Sequence, residues 1–173
     1  MESIKKLREL TGAGVMDCKR ALEAASGDFD KALEALRKRG HEIAEKKSTR
    51  AANQGLIESY IHTGGKIGVL VELNCETDFV ARCDDFKRLA RDLAMQIAAT
   101  PPAYIRREDI PAEILKEKKS AHLEEFCKAN CLLEQPFIKD QALTIRDLLT
   151  QVIAKVGENI VVRRFIRFRL GEL

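Results

Sequence analysis

The chain has 173 residues, 45% apolar and 33% charged, with a formal net charge of +3. That length allows one medium domain, or a small module beside a larger one, with enough apolar residues for a true core. The near-balance of charge argues against a general nucleic-acid binder, which carries a basic excess across a whole face. No apolar run approaches the ~20 residues of a membrane span.

The N-terminal "MESIKKLREL" is charged from its start and has no signal-peptide apolar core. Residues 1–40 carry three short helical patterns. Ser3 is a fitting N-cap for "SIKKLREL", which sets Ile4 and Leu7 one turn apart. Gly12 and Gly14 interrupt, and Val15, Cys18, Leu22 and Ala25 then form a second stripe. Phe29, Ala32, Leu33 and Leu36 form a third, with Gly40 as a natural stop. Three helices in forty residues make a thin-cored bundle suited to docking on a partner. Residues 41–54 lack a sustained apolar stripe, hold a basic cluster and read as a linker with room for some helix.

From residue 55 the period changes. "LIESYI" and "IGVLVEL" flank the glycine-bearing "HTGGK", which predicts a hairpin. A helix is expected from Asp84, burying Phe86, Leu89, Ala90, Leu93 and Ile97 and ending at "TPP". Residues 103–131 read as a polar helical segment and "LLEQPFIKD" as a loop. Thr144 and Asp147 form a capping-box pair for a helix with Leu148, Leu149, Val152, Ile153 and Val156 on its buried side, closed by Gly157. "NIVVRRFIRFRL" is a last strand in which Val162, Ile166, Phe168 and Leu170 alternate with arginines. The expected fold is α+β: residues 55–173 form a small antiparallel sheet with helices packed on one face.

Motifs for covalent chemistry are missing. "TGGKIG" lies inside the hairpin, where turn glycines explain it, and no phosphate-binding loop follows a strand. His122, Cys127 and Cys131 lie close in sequence but offer no fourth zinc ligand at a standard spacing. Cys75 and His62 can meet across the hairpin, yet nothing around them supports thiol activation. The five cysteines, odd in number and scattered, read as reduced thiols of a cytoplasmic protein. Arg163, Arg164, Arg167 and Arg169 read as a solvated or ion-paired strand face, with Glu72 available. Neither a cofactor nor a metal is expected, nor an enzyme.

The segment "NCETDFVAR", residues 74–82, leaves a choice open. In one reading Thr77 or Asp78 caps a helix and Phe79 anchors the core, seven residues before Phe86. In the other, Asp78 and Phe79 are held out as a charged, aromatic wedge for a partner. Periodicity does not decide between them.

Five blocks, "LRELTGAGVMDCKRAL", "GDFDKALEALRKRG", "GVLVELNCETDFVAR", "LLEQPFIKD" and "GENIVVRRFIRFRLGE", closely resemble bacterial translation elongation factor Ts, in its order and over nearly the whole chain. The resemblance implies a ubiquitin-associated-like module at 1–40, a core domain at 55–173, and guanine-nucleotide exchange on elongation factor Tu, bound with GDP or nucleotide-free. It implies that Thr77, Asp78, Phe79 and Val80 intrude on the GTPase domain of that partner, Phe79 between its helices and Asp78 against its magnesium and phosphate site. It also implies a grip by the loop neighbourhood of Leu10, Thr11, Gly12, Val15 and Met16. Short family members imply a homodimer, here through "VVRRFIRF" pairing edge to edge. The stretch between "IPAEIL" and "CLLEQPFIKD" is shorter than in the family. The competing expectation is an RNA- or ribosome-associated binding protein, supported by "EKKSTR" and the arginine strand.

Overall fold

A computed structural model describes residues 2–117 and 120–172. Its N-terminal helices are α1 (Glu2–Thr11), α2 (Val15–Ala24) and α3 (Phe29–Lys47). The core elements are β1 (Gln54–Ile61), β2 (Ile67–Cys75), α4 (Asp78–Arg82), α5 (Asp84–Ala99), α6 (Ala112–Glu117), α7 (Ser120–Asn130), β3 (Pro136–Phe137), β4 (Asp140–Thr144), α8 (Ile145–Val156) and β5 (Ile160–Arg169).

Leu7, Cys18, Ala32 and Leu36 close the core of the first three helices, with Ile4, Leu22, Phe29 and Leu33 partly buried around them. Asp28 starts α3 by accepting hydrogen bonds from the Asp30 and Lys31 amides. The stop expected at Gly40 does not occur. The helix continues to Lys47, so the first half of the predicted linker is helical. A glycine ends a helix when the residues after it have no reason to stay helical. Here the extension packs against α8, with Gly40 beside Thr150 and Ala44 against the main core.

The predicted hairpin is present. β1 and β2 pair antiparallel from Gln54↔Cys75 to Ile61↔Gly68, and β5 lies antiparallel on the other side of β2, giving the order β1-β2-β5. The fold is α+β, with helices on one face of this small antiparallel sheet. The face is closed by α5, whose Phe86, Leu89, Ala90, Leu93 and Ile97 are buried as the sequence predicts and join Val69, Val71 and Leu73. α8 adds Ile145, Leu149 and Ile153. Thr144 and Asp147 form the expected capping box, and Gly157, at φ 77°, ends the helix. "LLEQPFIKD" is more ordered than the predicted loop. Buried Gln96 donates to Gln135 Oε1 (3.0 Å) and the Pro136 carbonyl (3.1 Å) and accepts from the Ile138 amide (2.9 Å). These bonds seat β3 against α5, where it pairs with β4.

The last strand departs from simple alternation. Val162 pairs with Leu73 and Arg164 with Glu72, so Arg163 is an extra residue in a β-bulge. Side chains beyond it change face. Val162 points inward and is buried, whereas Ile166, Phe168 and Leu170, expected on the same side, are exposed. Phe165 and Arg167 take the inner positions instead, opposite Val71 and Val69.

Candidate functional site

β2 ends on buried Cys75, and Thr77 turns the chain into α4. Thr77 is the N-cap, its hydroxyl oxygen accepting from the Val80 amide at 3.4 Å. Only one face of so short a helix can meet the core. Ala81 is buried and Val80 packs partly against the core, while Phe79 is 80% exposed. Leaving a phenyl ring in water forgoes about 2 kcal/mol of burial. Asp78 forms an ion pair with Arg82 at 2.7 Å. The cap half of the local reading therefore stands and the core-anchor half is overturned. Cys83 is extended (φ −72°, ψ 151°) between α4 and α5, so the seven-residue spacing from Phe79 to Phe86 does not run along one helix.

A residue that sequence reasoning missed holds this turn. Glu158 accepts from the Thr77 hydroxyl at 2.6 Å through one carboxylate oxygen and from the Thr77 amide at 3.0 Å through the other. Its loop is itself fixed. The Gly157 carbonyl accepts from Lys47, the Asn159 amide donates to Glu76 at 2.7 Å, and the Asn159 side chain donates to the Arg50 carbonyl at 2.7 Å. No local spacing links residues 77 and 158. The one trace in the sequence was a carboxylate directly after the Gly157 stop.

The N-terminal candidates divide. Val15 and Met16 are exposed, and Leu10 is at the edge of exposure. Thr11 is buried, contrary to its expected place in an exposed loop. Its hydroxyl donates to the Leu7 carbonyl at 2.6 Å and accepts from the Ala13 amide at 3.3 Å. Gly12, at φ 67°, lies against Gln151 and Lys155 of α8. The same helix donates from Gln151 to the Leu10 carbonyl (3.2 Å) and pairs Lys155 with Asp85 at the start of α5 (2.7 Å). α8 and the turn after it thus support both candidate segments.

Other sequence candidates are not brought together. Cys75 pairs with Gln54, whereas His62 lies beyond the Ile61↔Gly68 end of the hairpin, so the proposed Cys–His encounter does not form. Burial, with the Glu158 charge adding, pushes the Cys75 thiol up to about 11. Cys127 and Cys131 are buried with Ile110, while His122 is exposed. Arg164 pairs with Glu72, and Arg167 and Arg169 both reach Glu172, as an ion-paired strand would. Among the described residues no helix is long and apolar enough to cross a membrane.

The family model described as Elongation factor TS matches residues 8–125 and 120–172. Elongation factor Ts of Carboxydothermus hydrogenoformans is 54% identical over 192 aligned residues, covering 99% of this chain and 88% of the relative. That of Methylacidiphilum infernorum is 53% identical over 188, covering 98% and 94%. The protein of the same name from Thermoanaerobacter sp. X514 is 50% identical over 192, covering 99% and 94%. These alignments exceed the length of the chain, so the relatives carry residues that it lacks. The family match breaks at 120–125, inside the stretch that reads as shortened. With a match of this extent and identity, the chain belongs to the elongation factor Ts family.

Proposed function

We propose that this chain acts in translation elongation as a guanine-nucleotide exchange factor, promoting GDP release from elongation factor Tu. The observation that carries the reading is Phe79, a large aromatic held 80% exposed on a capped turn beside Asp78. An exposed ring on a fixed turn can enter a crevice at little entropic cost, and the adjacent carboxylate disturbs a magnesium and phosphate site by charge. Val15, Met16 and Leu10 supply a second contact on the partner's GTPase domain. No covalent step is involved and the work is done by binding. By reciprocity, whatever weakens GDP is weakened equally by GDP, so the ternary complex resolves by losing either ligand. Acceleration of release by ~10⁴ requires lowering the barrier by ~5.5 kcal/mol. The setting is the cytoplasm.

We further propose that two copies associate through β5, which forms one edge of the three-stranded sheet and turns Ile166 and Phe168 outward beside Leu70.

The test of exchange is release of a fluorescent GDP from elongation factor Tu by substoichiometric factor. The wild type should turn over many times. Phe79→Ala and Asp78→Ala should slow release at least ten-fold with melting temperatures close to the wild type, because neither side chain is in the core. Wild-type rates in both variants would remove α4 from the mechanism. A large fall in melting temperature for Phe79→Ala would return the ring to a structural role.

A further inference from the structure

We propose that Glu158 is a positioning residue for nucleotide exchange, locking Thr77 so that α4 presents Asp78 and Phe79 in one orientation. This inference rests on the exchange reading given above.

α4 has five residues, too few to sustain itself as a helix, since nucleation fixes several dihedrals for very few hydrogen bonds. At its two ends the Ala81 amide donates to the Thr77 carbonyl at 3.3 Å and the Cys83 amide to the Val80 carbonyl at 3.0 Å. Orientation must therefore come from outside. Glu158 provides it through two charge-assisted bonds to one residue, the Thr77 amide at 3.0 Å and the Thr77 hydroxyl at 2.6 Å. The second bond also sets the hydroxyl rotor. With its proton directed to the carboxylate, the oxygen turns a lone pair toward the Val80 amide and completes the cap.

The carboxylate sits on a rigid base. Gly157 in the left-handed region turns the chain out of α8, and Lys47 from the end of α3 donates to its carbonyl. Asn159 donates on one side to Glu76, the residue before Thr77, and on the other to the Arg50 carbonyl. Glu76 also lies 3.6 Å from Arg50. Residues 76 and 77 are thus gripped by residues 159 and 158 in parallel. A grip at adjacent positions fixes the direction of the turn as well as its place. Phe79, 80% exposed, is too little covered to be oriented by its own packing, so its aim depends on this clamp.

A residue that only stabilises the fold and one that aims Phe79 differ in a double-mutant cycle. GDP release at saturating factor is measured for wild type, Glu158→Ala, Phe79→Ala and the double variant, each checked for cooperative unfolding. Glu158→Ala is expected to lower the maximal rate about ten-fold in the wild-type background and by clearly less once Phe79 is gone, when only Asp78 is left to be misdirected. Glu158→Gln, which keeps the shape and one acceptor, should fall between. Equal slowing with and without Phe79 would overturn the proposal, as would an unchanged rate in folded Glu158→Ala. If Glu158→Ala does not fold, Glu158→Gln and Thr77→Val carry the same cycle. No acceleration by the wild type sinks the exchange reading and this inference together, whereas a wild-type rate in Phe79→Ala keeps exchange and sinks this inference. A slow Phe79→Ala beside a normal Glu158→Ala sinks the positioning role alone.

Discussion

Thr77, Asp78 and Phe79 show how three consecutive side chains divide their tasks, one inward to the Glu158 clamp, one along the helix to Arg82 and one into solvent. Thr77 as a cap was legible from its residue type and place. The exposure of Phe79 was not, because its spacing to Phe86 imitates a helical face and only the break at Cys83 separates them. Glu158 was invisible for a different reason, since its partner is 81 positions away. Burial pushes Cys75 up to about 11 and Cys131 up to about 12 from the ordinary 9.0. Their folded values exceed the unfolded one, so this contribution to stability is whole below pH 9 and is lost as pH rises toward 12, where the unfolded chain sheds protons first. Denaturant midpoints of wild type and Cys75→Ala should converge as pH is raised from about 8 to about 10.5. A constant difference would mean that the thiol does not titrate in that window.

At the scale of elements, the amphipathic stripes and the hairpin were plain in the sequence, because α5, α8 and the β1–β2 pair each bury residues at one regular period. What escaped was set by neighbours. α3 runs past Gly40 because α8 offers its extension a surface, and β3–β4 forms because Gln96 and Gln135 hold "QPF" in place. The continuation of α3 has a direct consequence. Gly40 has helical backbone, and a Cβ there would meet only Thr150 Cγ2, at an ordinary 3.6 Å. Gly40→Ala should therefore stabilise the protein by roughly 0.5–1 kcal/mol, read from the urea midpoint. Destabilisation would mean that the helix ends there after all.

For the whole molecule, α8 is the shared support. Its C-terminal half meets Leu10 and Gly12 through Gln151 and Lys155, Lys155 also pairs with Asp85 of α5, and the turn after it holds Thr77. The outer surface of the sheet carries Ile57, Ile61, Leu70, Ile166 and Phe168 exposed. If two copies meet through β5, light scattering at micromolar concentration should give the mass of two chains, falling to one in Ile166→Lys with Phe168→Lys. The mass of one chain in the wild type would remove the dimer. That surface owes its character to the extra residue at Arg163. Strand decoration obeys parity, and a bulge switches odd for even. Were Arg163 instead drawn into a regular ladder opposite Glu72, every letter of β5 would stay in place, yet Ile166 and Phe168 would swing toward the core and Phe165 and Arg167 would turn to water. A single count thus decides whether this side of the protein is oily or charged.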